Sequence, residues 1–148
     1  LMLKNSFTTD LRIASAALMH HERFDGSGYP MGSKSDQINE FARILAITDV
    51  YAGMISKRDY RESLCPFEVI RLFEKDGLYK YDSNYVILFL RSMLDTFIGY
   101  TVELNTGETA KIIAINKDHL SEPTVLLDGR TINLANDEKR EILHLAKA

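Results

Sequence analysis

With 148 residues, 45% hydrophobic and 26% charged, the chain has the size and composition of one ordinary domain, which excludes a disordered tail and a fibrous repeat. Eighteen basic against 21 acidic residues leave a net charge of −3, so no electrostatic footprint for a nucleic-acid duplex exists and any phosphate site must be local. No apolar run approaches the roughly 18 to 20 residues that span a bilayer, and the N-terminal LMLKNSFTTD lacks the order of regions of a secretory signal. No membrane insertion is therefore expected, and a cytoplasmic location is the default. The single cysteine, Cys65, allows no intrachain disulfide and no cysteine metal cluster within one chain, and reads as a buried thiol.

From Asp10, DLRIASAALMHHER places Leu11, Ile13, Ala14, Ala17 and Leu18 at helical spacing behind Thr9 or Asp10 as N-cap, giving a first helix that carries His20 and His21 at its C-terminal end. The glycine-, serine- and aspartate-rich FDGSGYPMGSKSDQ then predicts a structured loop from Phe24 to Gln37. A second helix is predicted from Ile38 to Ser56, with Phe41, Ile44, Leu45, Thr48, Tyr51 and Ala52 on one face and Asp49 in its middle. Pro66 opens a third helix that Gly77 closes, and DSNYVILFLRSMLDTF, capped by Asp82 or Ser83, forms a fourth. After about Ile98 the pattern changes to alternating β-branched and polar residues, in one hairpin around Asn105-Thr106-Gly107-Glu108 and another around Asp128-Gly129. The expected fold is mainly α, a helical bundle over residues 1–97, followed by a small β-hairpin or partial-barrel module over 98–148.

The residues with the most chemistry are HHERFDGSGYP, His20 to Pro30, together with Asp49. Adjacent helical residues differ by about 100 degrees, so two neighbouring histidines share one metal only if it lies across the helix end or between helices. Imidazole nitrogens with a carboxylate suit iron, manganese or zinc better than magnesium or calcium. Helix capping and core hydrogen bonding are the competing roles for His20 and His21, as a salt bridge to Arg58 or Arg43 is for Asp49. On an apolar helical stretch a carboxylate needs such a partner or a cation, because burying it bare costs several kcal/mol. Gly26 and Gly28 allow close approach of a ligand, and Tyr29-Pro30 makes a stiff aromatic corner.

HHERFDGSGYP, continued by FARILAITDVY and ISKRDYR, resembles the signature of the HD-GYP family, bacterial metal-dependent phosphodiesterases that hydrolyse cyclic di-GMP; the tail TVELNTGETAKIIAIN is similar to an extension of some members. The resemblance implies an HD-type helical fold and a centre of two or three iron or manganese ions that activates water for attack on phosphorus. It implies metal-ligand roles for His20, His21 and Asp49, substrate-binding roles for Tyr29, Arg58 and Arg61, and supporting roles for Glu22 and Asp25, which hold the imidazoles or the loop. The substrate it implies is cyclic di-GMP or a related phosphodiester.

The upstream His-Asp pair of the family has no counterpart before His20, and His119 and His144 fall in the β tail as surface residues. A chain beginning at Leu1 with three of the expected ligands reads as the C-terminal part of a longer phosphodiesterase, with no complete catalytic set and inactive alone. Ala52-Gly53 and Asp59 depart from the family pattern, which leaves a catalytically degenerate cyclic di-GMP binding or regulatory module as the alternative. Helix faces left uncovered favour a homodimer.

Overall fold

The computed structural model describes residues 10–57 and 63–146, which form two compact units: the described residues up to Gly53 with Asp76–Val86, and Met54–Lys75 with the chain from Ile87 onward. Arg58, Asp59 and Arg61 lie outside the described residues.

In the first unit, helix α1 spans Leu11–Met19, and the Asp10 carboxylate caps it by accepting the Arg12 N–H. Arg12 also clamps Asp10 through its guanidinium at 2.6 Å, which holds the Asp10 carboxyl below its usual range. The loop after α1 is tied down at several points. Phe24 N–H donates to the Lys80 carbonyl at 2.7 Å, and Ser35 N–H donates to the Phe24 carbonyl at 3.1 Å. Helix α2 spans Glu40–Ile55.

The buried side of these helices differs from the side that periodicity predicts. Ala16 and Met19 of α1 and Ala42, Ala46, Ile47 and Tyr51 of α2 are buried. Leu11, Ile13, Leu18, Phe41, Ile44 and Leu45 are exposed. The buried side is a mixed one: alanines let the backbones approach closely while Met19, Ile47 and Tyr51 fill the interior beside them, and of the face that the apolar period marked on α2 only Tyr51 is buried.

In the second unit, α3 spans Pro66–Leu72, with Pro66 in its first turn and Phe67, Val69 and Ile70 buried. Gly77 does not close this helix: it keeps right-handed helical angles (φ −69, ψ −32), and the chain runs through one π turn, Phe73–Gly77, into helical Leu78–Lys80. Helix α4 spans Ser83–Leu94, and Asp82 is its cap, accepting the Asn84 N–H at 3.1 Å.

The β module is one antiparallel sheet of five strands, β1 (Thr101–Leu104), β2 (Thr109–Ala114), β3 (Thr124–Leu127), β4 (Arg130–Asn133) and β5 (Ile142–Leu145), ordered β4-β3-β2-β1-β5. Both expected hairpins form. Asp128 and Gly129 both carry positive φ (48 and 77), the primed turn whose twist matches the flanking strands. The fifth strand joins β1 from the far end of the chain. Alternation sets the buried face: Val102, Leu104, Ala110, Ile112, Val125 and Leu127 point inward, each bulky aliphatic contributing about 1.5–3 kcal/mol. Cys65 is buried in this unit, and burial pushes its thiol pKa up. The Glu74 carboxylate accepts the Leu120 and Ser121 N–H groups and the Ser121 hydroxyl, joining the π turn to the β2–β3 connection.

Candidate metal centre

Helix α1 stops at Met19 because the chain turns there: His20 keeps helical angles as the C-cap, and Glu22 N–H closes the turn onto the Met19 carbonyl at 2.9 Å. That stop resolves the 100-degree problem of adjacent helical residues, since His21 lies beyond the helix and both rings face across its end. Their centroids are 4.0 Å apart with planes tilted by 39°. His20, His21 and Asp49 each offer a ligand atom, all within 4.8 Å of one another. The His20 Nδ1 lies 2.8 Å from the Ala17 carbonyl. A carbonyl only accepts, so Nδ1 carries the proton and the Nε2 lone pair is the one available to a cation. Two imidazoles and a carboxylate are a chemically suitable partial shell for a transition-metal ion.

Asp49 is exposed. The expectation that it sits in an apolar environment is thus corrected, and no burial penalty drives it toward a cation. Arg43, one of its possible partners, is engaged elsewhere: it donates to Asp82 at 3.0 Å and to the Ile38 carbonyl at 3.0 Å, and lies 3.8 Å from Asp36.

The loop over the histidines is built on Glu22. This carboxylate is 2% exposed and accepts the Met31 N–H at 2.7 Å through Oε1 and the Ser33 N–H at 3.0 Å through Oε2. It therefore holds the loop, and its hydrogen bonds go to backbone N–H groups rather than to imidazole. Asp25 does local work: it accepts the Ser27 N–H at 2.9 Å and the Ser27 hydroxyl at 2.6 Å, which lowers its pKa. A Cβ on Gly28 would lie 2.4 Å from the Arg23 nitrogen and from Glu22 Cα, and 2.5 Å from the His21 carbonyl. Only glycine allows the loop to lie against the histidine backbone there. The ring of Tyr29 stacks on His21 at 4.7 Å and 26°, and 61% of the residue is exposed.

Two contributors carried no signal in the sequence. Arg23 donates to the Glu22 carbonyl at 3.0 Å and lies over the Tyr81 ring at 5.0 Å. Tyr81 comes from a segment some sixty residues downstream, and its buried hydroxyl has a raised pKa, from burial first and from the negative field of Asp49 and Asp25. Only a contact map could have found them.

Two imidazoles and a carboxylate with ligand atoms within 4.8 Å of one another make a candidate site for a transition-metal ion. The family model for the HD domain matches residues 2–85, more than half of the chain, and the chain belongs to the HD domain family, a metal-dependent family, as an HD-GYP-like member. The chain is 32% identical over 114 residues to a cyclic di-GMP phosphodiesterase of Pseudomonas aeruginosa, covering 76% of this chain and 27% of that protein. It is 50% identical over 50 residues to the cyclic di-GMP phosphodiesterase response regulator RpfG of Xanthomonas campestris, covering 34% of this chain and 13% of that protein. A 3'3'-cGAMP-specific phosphodiesterase of Vibrio cholerae is 42% identical over 57 residues, covering 38% and 13%. The chain spans about a third or less of the length of these curated relatives. No helix among the described residues is long and apolar enough to cross a membrane.

Proposed function

We propose that this chain is part of a metal-dependent phosphodiesterase that hydrolyses cyclic di-GMP, contributing His20, His21 and Asp49 as ligands and performing no turnover alone. The observation that carries the reading is the convergence of those three donors within 4.8 Å under the GYP loop. Bound iron or manganese would supply Lewis-acid stabilisation of the phosphoryl oxygens and activate water. The chain's own residues prepare for that chemistry. Ala17 fixes the His20 tautomer, Glu22 anchors the loop, and the outer face of the Tyr29 ring is open to stack on a base. Arg58 and Arg61 are assigned to the phosphates, whose paired non-bridging oxygens suit guanidinium forks. Relatives named for cyclic di-GMP and for 3'3'-cGAMP support a cyclic dinucleotide as the substrate class.

Three donors hold one metal weakly, which is why turnover by this chain alone is not expected. The same count favours the second reading, a binding or regulatory module that retains cyclic di-GMP contacts without hydrolysis. The exposed apolar side chains of α1 and α2 are assigned to a homodimer contact, and sedimentation velocity giving a monomer at micromolar concentration would dispose of it.

The deciding experiment is elemental analysis of the purified chain for iron, manganese and zinc, beside His20→Ala/His21→Ala, with cyclic di-GMP hydrolysis and binding measured on the same samples. About one metal equivalent, lost in the double variant, with binding but no hydrolysis, is the expected result. Hydrolysis by the wild-type chain would refute the incomplete-centre reading, and equal metal content in both proteins would refute the ligand assignment.

A further inference from the structure

Three consecutive carbonyls run through the histidine pair, and each has a partner. The His21 carbonyl accepts the Tyr29 N–H at 3.3 Å. The two on either side of it, of His20 and Glu22, both face Nη1 of Arg23, at 3.4 and 3.0 Å. Among the described residues the guanidinium that bridges them forms no ion pair. It lies instead over the ring of Tyr81, 5.0 Å from the centroid, and Tyr81 is 9% exposed. One residue along on each side, the Phe24 N–H donates to the Lys80 carbonyl at 2.7 Å, so segments 23–24 and 80–81 are fastened at two adjacent points.

This arrangement suits arginine in particular. A planar cation with five donors can aim N–H groups at carbonyl oxygens in its plane while its face rests on an aromatic ring. An ammonium is a point charge on a flexible stem and cannot do both with the same geometry. These contacts hold the peptide planes on both sides of His21, from which the two imidazoles project to a 4.0 Å ring separation with Tyr29 stacked on His21.

We infer that Arg23, seated on the buried ring of Tyr81, is a positioning residue that fixes the orientation of the His20 and His21 imidazoles for a metal ion. The inference rests on the reading of His20, His21 and Asp49 as ligands, but its geometric claim is independent of metal. The contact it rests on is that of the Tyr81 ring with the guanidinium.

The test uses the 148-residue chain and Arg23→Ala, Arg23→Lys, Tyr81→Phe and Tyr81→Leu, with His21→Ala to assign the His21 ring signals. Two readouts are taken: Mn2+ affinity from the electron paramagnetic resonance of free ion, and the His21 ring protons in metal-free protein, which the stacked Tyr29 ring shifts upfield. In Arg23→Ala and Tyr81→Leu, Mn2+ binding should weaken about tenfold, the lower end of what supporting groups contribute, and the upfield shift should shrink. Tyr81→Phe should retain both, and Arg23→Lys should fall between. If Arg23→Ala does not fold, the contrast of Tyr81→Phe with Tyr81→Leu carries the same decision. A His21 signal unchanged in folded Arg23→Ala, or equal losses in Tyr81→Phe and Tyr81→Leu, would overturn the inference. Absence of Mn2+ binding to the wild-type chain would instead sink the ligand reading, and the proton shifts would still decide whether Arg23 orients His21.

Discussion

In the helical unit the interior mixes Ala16, Ala42 and Ala46 with Met19, Ile38 and Ile47, while the bulky Leu11, Phe41 and Leu45 are exposed. In the unit that holds the sheet, the aliphatic side chains Val102, Leu104, Ile112 and Val125 are fully enclosed. The candidate centre sits on the first kind of scaffold. Its precision comes from polar ties to backbone, through Glu22, Arg23 and the Phe24–Lys80 bond, rather than from dense apolar packing. The sheet unit has polar ties of its own, Glu74 to the β2–β3 connection and Arg140 to Glu108, but there alternation already buries one face.

The largest effect separating the units should come from Leu104→Ala, which empties an enclosed site and should cost about 2–5 kcal/mol in urea unfolding. Next is Glu22→Gln, which replaces a two-oxygen acceptor buried among backbone donors. It should cost about 1.5–3 kcal/mol and loosen residues 31–33 in amide exchange; protection unchanged there would show that the loop stands without the carboxylate.

A smaller effect is tied to pH. Arg140 holds the Glu108 carboxyl down to about 2, from a usual 4.5, chiefly by side-chain hydrogen bonds. A depressed folded pKa means stability that is present above 4.5 and is lost as pH falls from there through about 2. The unfolding midpoint of the sheet unit should decline over that window, and Arg140→Gln should flatten the decline. Smallest is Leu11→Gln: at 80% exposed, Leu11 should be replaceable with a change within about 0.5 kcal/mol. A larger loss would mean that the exposed face is covered in solution, as in the proposed homodimer.

Much of the architecture was legible from local pattern. Asp10 and Asp82 cap helices as their positions suggest, Pro66 opens one, and Asp128-Gly129 turns a hairpin, because each acts through its own backbone and near neighbours. The failures share a different cause. Gly77 continues a helix that it was expected to end, and β5 pairs with a strand about forty residues earlier; both outcomes depend on packing that no window of sequence contains. The apolar period of α1 and α2 announced a face but not which side meets the interior.

The candidate site divides along the same line. HHERFDGSGYP and Asp49 stand out in the sequence through their resemblance to the HD-GYP signature, whereas the residue types alone left helix capping and an ion pair open. Sequence by itself therefore determined the helix-then-sheet order and the hairpin turns, which follow from local conformational preference, and its resemblance to the HD-GYP signature named the candidate ligands. Only the tertiary structure decided that α1 stops at Met19 so that both rings face one point, that Glu22 turns toward the loop, and that Arg23 finds Tyr81. Those are contacts between groups distant in sequence, and their geometry exists only after the chain has folded.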